Sequence, residues 1–399
     1  MRRPDALLIL CLALAAGIYS YQGSLLLGPG LLKWSSDSLW FEADVPRHFS
    51  NMTDRSSFHN RNKVHPLSSL ATYTPVFALR LLFGSSPATA ARLVIAGAAG
   101  LWISLLYTLF RVLDHPRLDA LAFTVLAASS ASSIFWLPVP ETYLFGSVTI
   151  LLTLLVAALA ERRALSAVPY VLASAASLSF TVTNWMFGLL LAGTVHSWRK
   201  ALRISLMALV LVASLWPVQK LVFRSSGLFL DIRGETKFLA LEGWSGALSS
   251  LRAATVHSMV MPEISQIEKP EHPGRLVLSI QESEAGSRRP FGAIAAGLWL
   301  ALLGIGLWEL FRQKSHRAFR WVLGLGLCGQ LTLHTLYGDE TFLYALHYGP
   351  LLVILASLAA RGPLRHWALL VSASLILFAV LNNLSAFFEA ATALHKLSA

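Results

Sequence analysis

The stretch TYLFGSVTILLTLLVAALA, Thr142–Ala160, holds no Asp, Glu, Lys or Arg, and Glu161-Arg162-Arg163 closes it. A helix needs roughly 20 mostly apolar residues to cross a bilayer core, so this run reads as a transmembrane helix with a basic flank. Runs of the same kind recur on both sides of it. Toward the N-terminus they are Ala6–Leu27, Ala91–Leu113 and Leu118–Trp136. Toward the C-terminus they are Ala167–Thr181, Asn184–Val195, Arg203–Phe223, Phe291–Phe311, Phe319–Tyr337, Phe342–Ala360 and His366–Phe388. The pair 167–181 and 184–195 is short, and fits two thin spans or a re-entrant pair. Length thus predicts an all-α, polytopic membrane protein of about 11 transmembrane helices, forming one domain over residues 1–399.

Composition points the same way. Of 399 residues, 55% are hydrophobic and 13% are charged, and the mean hydropathy is +0.60. A soluble globule carries about 25% charged residues. A disordered chain, a coiled coil and an ordinary soluble enzyme are excluded. The 32 Lys and Arg outnumber the 21 Asp and Glu, for a net charge of +11. Nucleic-acid binding is one reading of such an excess. The positions favour another, because the basic residues collect in alternate short segments, around Arg111, Arg162, Lys200, Lys314 and Arg361. The intervening short loops, 138–141, 182–183 and 338–341, hold no Lys or Arg. This is the positive-inside pattern, with a cytoplasmic N-terminus and the lipid bilayer, not nucleic acid, as partner. Cys11 and Cys328 lie inside apolar runs and form no disulfide or metal pattern.

The alternation holds only if Pro66–Phe83 does not cross. Tyr73, Pro75 and Arg80 interrupt that segment, which reads as an extracytoplasmic interfacial helix. Two long loops then share that side, 28–90 and 224–290. In the second, Phe229, Leu230, Trp244 and Leu251 are expected to form a small cap, and Glu263–Arg289 reads as a polar loop.

The first loop concentrates the chemistry. It runs Phe41-Glu42-Ala43-Asp44-Val45-Pro46-Arg47-His48-Phe49 and continues through His59, Arg61 and Lys63 to Val64-His65-Pro66-Leu67. Charges beside a bilayer are costly unless solvated or used. A carboxylate there can take a proton from an acceptor hydroxyl, and Arg, Lys and His can hold a phosphate. Asp44 and Glu42 are the candidate bases. Arg47, Arg61, Lys63 and His65 are the candidate phosphate ligands. The bland alternative is that any exposed loop is polar.

An acidic residue after the first helix, followed by His-Pro opening an amphipathic segment, resembles the GT-C membrane glycosyltransferases. The nearest likeness is to the protein O-mannosyltransferase and aminoarabinose-transferase branch. Motif-level similarity covers Phe41–Arg92. The resemblance implies a polyprenyl-phosphate sugar donor and inverting transfer to an acceptor on the extracytoplasmic side. It implies Asp44 as base; a bacterial inner membrane is expected rather than the endoplasmic reticulum. Glu42-Ala-Asp44 stands where that branch has an Asp-Glu pair, and His65-Pro66-Leu67 stands for His-Pro-Pro. No cofactor is certain, and a divalent metal at Asp44 is left open.

Further candidates line the same side. Glu141 precedes Thr142, Asp339 and Glu340 precede Thr341, and His347 falls in the first turns of an apolar run. These could grip a sugar or pyrophosphate. Helix capping and an interfacial tyrosine belt are the alternatives. Asn51-Met52-Thr53 and Asn383-Leu384-Ser385 fit the glycosylation pattern. A transporter or flippase for a lipid-linked or small solute, and a surface-polysaccharide polymerase or ligase, compete with the transferase reading.

Overall fold

A computed structural model describes residues 3–36, 38–229, 243–268, 276–286, 289–337 and 340–398. It is 78% helical with almost no strand. The apolar runs become α1 (Arg3–Leu27), α4 (Pro87–Val112), α5 (Arg117–Ser129) with α6 (Ala131–Trp136), and α7 (Thr142–Ala160). There follow α8 (Ala167–Phe180), α9 (Trp185–Val195), α10 (Trp198–Val222), α12 (Pro290–Arg312), α13 (Arg317–Leu336), α14 (Ala345–Ser357) and α15 (Arg365–Leu397). Short 3₁₀ turns extend α14 to Thr341–Arg361. Seven of these segments are long and apolar enough to cross a membrane: α1, α4, α7, α10, α12, 341–361 and α15. The helices α8 and α9 are shorter and equally apolar.

Local chemistry sets the boundaries. Ser86 caps α4 by accepting from Thr89 N at 3.1 Å, with Pro87 in the first turn. Ser130 is extended (φ −65°, ψ 151°), which separates α5 from α6, and its hydroxyl caps α6 by accepting from Ser133 N at 3.2 Å. The sequence reading ran one span through this break.

Small residues let the helices approach closely, as in membrane-type packing. A Cβ on Gly100 of α4 would lie 3.0 Å from the Ala13 carbonyl of α1. The segment 341–361 forms the centre, with 94% of its apolar window buried.

Contacts between helix termini sort the chain into two ends. At one end the start of α1 meets the end of α4 through Asp5 and Arg111, and the start of α5 meets the start of α15 through Asp119 and Arg365. The other end carries the long connections. The first contains α2 (Val45–Thr53) and α3 (Ser68–Phe83). With 16 residues, Pro75 inside, and Leu81, Leu82 and Phe83 exposed, α3 is not among the long apolar helices. The second contains α11 (Gly243–Arg252) and an antiparallel hairpin, β1 (Ser265–Glu268) and β2 (Leu276–Ser279). The hairpin departs from the loop expected over Glu263–Arg289. Its apolar Leu276-Val277-Leu278 gains a partner far off in sequence, as Leu278 N donates to Leu39 O at 3.0 Å.

Neither glycosylation pattern is available to solvent. Asn383 is fully buried, receiving Met261 N at 2.9 Å and donating to the Ser129 and Met259 carbonyls at 2.9 and 2.8 Å. Asn51 is also buried and accepts from Ser57 Oγ at 2.9 Å.

Candidate functional site

The first loop is pinned by its aromatic residues. Trp40 and Phe41 are fully buried, with Trp40 stacked on Phe135 at 5.7 Å and Phe41 edge-on to Phe342 at 5.2 Å. Ser38, Phe41 and Glu42 all have left-handed backbones, at φ 65°, 48° and 61°. Non-glycine residues adopt this region at a cost, and such strain clusters at functional sites. Here it turns the chain sharply from the aromatic plug into α2. Asp44 sits at the N-terminal boundary of α2 and is ion-paired with Arg47 one turn on. Its side chain stays 34% exposed, so this carboxylate is anchored and still reachable.

The next turn brings more of the loop to the same place. His65 Nδ1 donates to the Phe180 carbonyl at 2.6 Å, and Val182 N donates to Val64 O at 3.0 Å, so the His-Pro motif rests on the α8–α9 turn. His48 is buried against Phe145, and its Nε2 has no protein partner. Burial first, then the charge of Arg47, pushes His48 down to about 3. Burial and then Arg61 do the same to His65, also to about 3. Both imidazoles are therefore neutral near pH 7.

Glu141 joins from the start of α7. Its Oε1 accepts from Thr142 N at 3.0 Å and Thr142 Oγ1 at 2.9 Å, which caps the helix, while the buried Oε2 has no protein partner. Burial raises its carboxyl above the usual range, with Arg47 and Arg61 acting in opposition. Capping and facing the site are thus both true of Glu141. Arg61 also lies within electrostatic reach of Tyr143 and Tyr344, and Glu42 of Tyr344.

The inner wall comes from helices. The Tyr143 ring lies 5.2 Å from Tyr344 and 5.4 Å from His347, and His334 stacks on Tyr344 at 4.1 Å. Gln330 Nε2 donates to Asn184 Oδ1 at 2.8 Å, and His334 Nε2 meets Gln330 Oε1 at 2.9 Å. Asn184 Nδ2 points to His347 Nε2 at 3.5 Å. Gly146 makes room for this pair, since a Cβ there would lie 2.5 Å from His347 Nε2 and 3.0 Å from Asn184 Nδ2.

Asp44, Glu42, Arg47, Arg61, His65, Glu141 and His347 are thus gathered around one region. Lys63 lies on the same turn as Arg61, packed beside Gly227. Glu340 plays a structural part, because its Oε2 accepts from Ser279 Oγ at 2.6 Å and Ile280 N at 3.2 Å and so ties β2 to the start of 341–361. Asp339 lies outside the described residues. His59 is a satisfied core histidine, bonded to Ser69 Oγ at 2.8 Å and Ser57 Oγ at 3.1 Å. Sequence reasoning missed Asn184, Gln330 and His334. The available signal was Gln330 and His334, four apart on one face of an otherwise apolar run.

Among the described residues, no three His, Cys, Asp or Glu side chains come together as a metal-binding group. A divalent ion at Asp44 therefore has no such donor set among the described residues. Comparison with protein-family models and with curated proteins found no match.

Proposed function

We propose that the chain is a membrane glycosyltransferase that moves a sugar from a polyprenyl-phosphate donor to an acceptor hydroxyl on the extracytoplasmic side, with inversion. One observation carries the reading. An anchored, accessible carboxylate, Asp44, shares a region with Arg47, Arg61, two neutral histidines and Glu141, at the end bearing the long connections. In this reading Asp44 takes the proton of the acceptor hydroxyl. The acceptor oxygen bonds to the anomeric carbon as the bond from that carbon to the phosphate oxygen breaks. Polyprenyl phosphate leaves with its new charge facing Arg61, while His65, neutral and bonded through Nδ1 to the Phe180 carbonyl, shapes the turn beside it. Glu42, two residues earlier, is the alternative base.

The topology belongs to the same proposal. The apolar segments make eleven passes, α3 lies along the extracytoplasmic interface, and the N-terminus is cytoplasmic. The exposed Leu81, Leu82 and Phe83 of α3 suit an interface. The buried ion pairs at the opposite end suit the basic, cytoplasmic side.

The experiment is to incubate purified protein with a panel of polyprenyl-phosphate sugars and follow loss of donor. Consumption of one donor with release of polyprenyl phosphate supports the proposal. A second reading, a carrier of lipid-linked solute, draws on the broken α5–α6 helix and the buried polar wall, since carriers use interrupted helices. In sealed vesicles a carrier would move the intact donor across and leave the sugar on its phosphate.

A further inference from the structure

We infer that the wall formed by Tyr143, Asn184, Gln330, His334, Tyr344 and His347 receives the sugar itself, and that this sugar is uncharged, an inference resting on the glycosyltransferase reading. The six side chains come from α7, the α8–α9 turn, α13 and the 341–361 segment. None is Asp, Glu, Lys or Arg. Polar side chains inside an apolar helical body are costly unless paired or used. A purely structural network would close on itself, and this one does not.

The direction of its hydrogen bonds shows where it stays open. Gln330 gives its Nε2 to Asn184 Oδ1, so its Oε1 is the acceptor for an N–H on His334 Nε2. His334 Nδ1 is then a bare acceptor, buried and without a protein partner. Glu141 Oε2, two residues before Tyr143, is a second such acceptor. Trp136 Nε1 is a buried donor without a partner, on a ring 6.2 Å from Tyr143. Buried orphan groups of this kind call for a ligand or water.

The chemistry of the missing partner follows. A carboxylate only accepts, an ammonium only donates, and a hydroxyl does both. Hydroxyls of a sugar ring can satisfy the bare acceptors and the bare donor alike. The Tyr143 ring, and the face of Tyr344 that His334 does not cover, suit the C–H face of a sugar ring. Charges of both signs act on the wall's tyrosines from outside it, Glu141 and Arg61 on Tyr143, and Arg61 and Glu42 on Tyr344. With no charged side chain among the six, an amino sugar such as aminoarabinose has no carboxylate partner within the wall itself.

The test uses the full-length protein and phosphodiesters of one short polyprenol. These carry glucose, galactose or mannose, the 2-amino-2-deoxy form of each, or the uronic acid of each. Binding is measured by competition and turnover by donor loss. At least one neutral sugar should bind about tenfold or more tightly than its charged counterparts. His334→Phe and Gln330→Leu should weaken that sugar about tenfold and leave the sugar-free polyprenyl phosphate bound as before. His334→Gln keeps an acceptor and should retain most of the affinity. Equal or better use of a charged sugar overturns the inference while leaving the transferase reading intact. Equal weakening of the sugar-free lipid also overturns it, since the wall would then be structural. If wild-type protein neither binds nor consumes any of the donors, both readings fall.

Discussion

The two ends of the helical body wire their buried carboxylates in opposite ways, although the end with the short basic segments also holds buried nitrogens without a protein partner, His115 Nδ1, His196 Nε2 and Arg320 Nε. At the end that gathers the short basic segments, buried carboxylates are fully engaged. Asp5 accepts from Tyr107 Oη at 3.1 Å, Arg111 Nε at 3.2 Å and Arg117 Nε at 3.1 Å. Asp119 holds Arg365 through two bonds of 2.8 and 2.7 Å, and Glu309 holds Arg312 at 2.8 Å. At the loop-bearing end, His48 Nε2, Glu141 Oε2, His334 Nδ1 and Trp136 Nε1 are buried without protein partners. Closed polar wiring fixes helix positions. The open Glu141 Oε2 and its neighbours leave valences for a ligand or water.

The sharpest way to break this contrast is at Asp44. Asp44→Asn keeps size and hydrogen bonding and removes the charge, so it should lower kcat by about 10²- to 10⁴-fold, the range for a positioned general base, with the protein still folded. Glu42→Gln is the control and should cost far less. Activity that survives Asp44→Asn and vanishes in Glu42→Gln would exchange the two roles.

The closed end should respond in stability instead. Asp5 is 2% exposed while its arginines are 25% and 39% exposed. Asp5→Ala should therefore cost about 3 kcal/mol, the low end for breaking a buried pair, because the arginines can still reach water. Thermal unfolding in detergent measures it, and donor turnover per folded molecule should hold.

His48 gives the contrast a pH dependence. Its ordinary value is 6.5 and the fold lowers it to about 3. Between those values the unfolded chain binds a proton that the folded chain refuses. Stability should thus fall as pH drops from 6.5 toward 3, approaching about 1.4 kcal/mol per pH unit from this one group. His48→Gln should flatten the slope in an unfolding series from pH 7 to pH 5, and an unchanged slope would place the titration elsewhere.

The smallest effect belongs to Asp114, 61% exposed and paired with Arg162. Asp114→Asn should change stability by less than about 1 kcal/mol, as exposed ion pairs do. A larger loss would extend the closed wiring to the surface of that end.

The helices were legible because length and apolarity decide them locally: Thr142–Ala160 is α7 to the residue. The break at Ser130 was not, because serines flanked by alanines read as small helical residues until one of them caps a new start. The first-loop acids and bases announced themselves by composition. The inner wall did not, since Gln330 and Asn184 meet across 146 residues of sequence and no local pattern encodes that meeting. Asn383 fits the glycosylation pattern by sequence, and only packing shows that its amide ties α15 to three distant backbone groups.

The hairpin has a consequence for control from without. Through Leu278 its second strand holds Leu39, three residues before Glu42, and through Ser279 and Ile280 it holds Glu340, seven residues before His347. Both walls of the site hang from one ribbon whose first strand exposes Gln266 and Glu268. A binder that prefers a displaced form of that strand would shift both walls together. A site suspended in this way can be silenced by a molecule far too large to enter it.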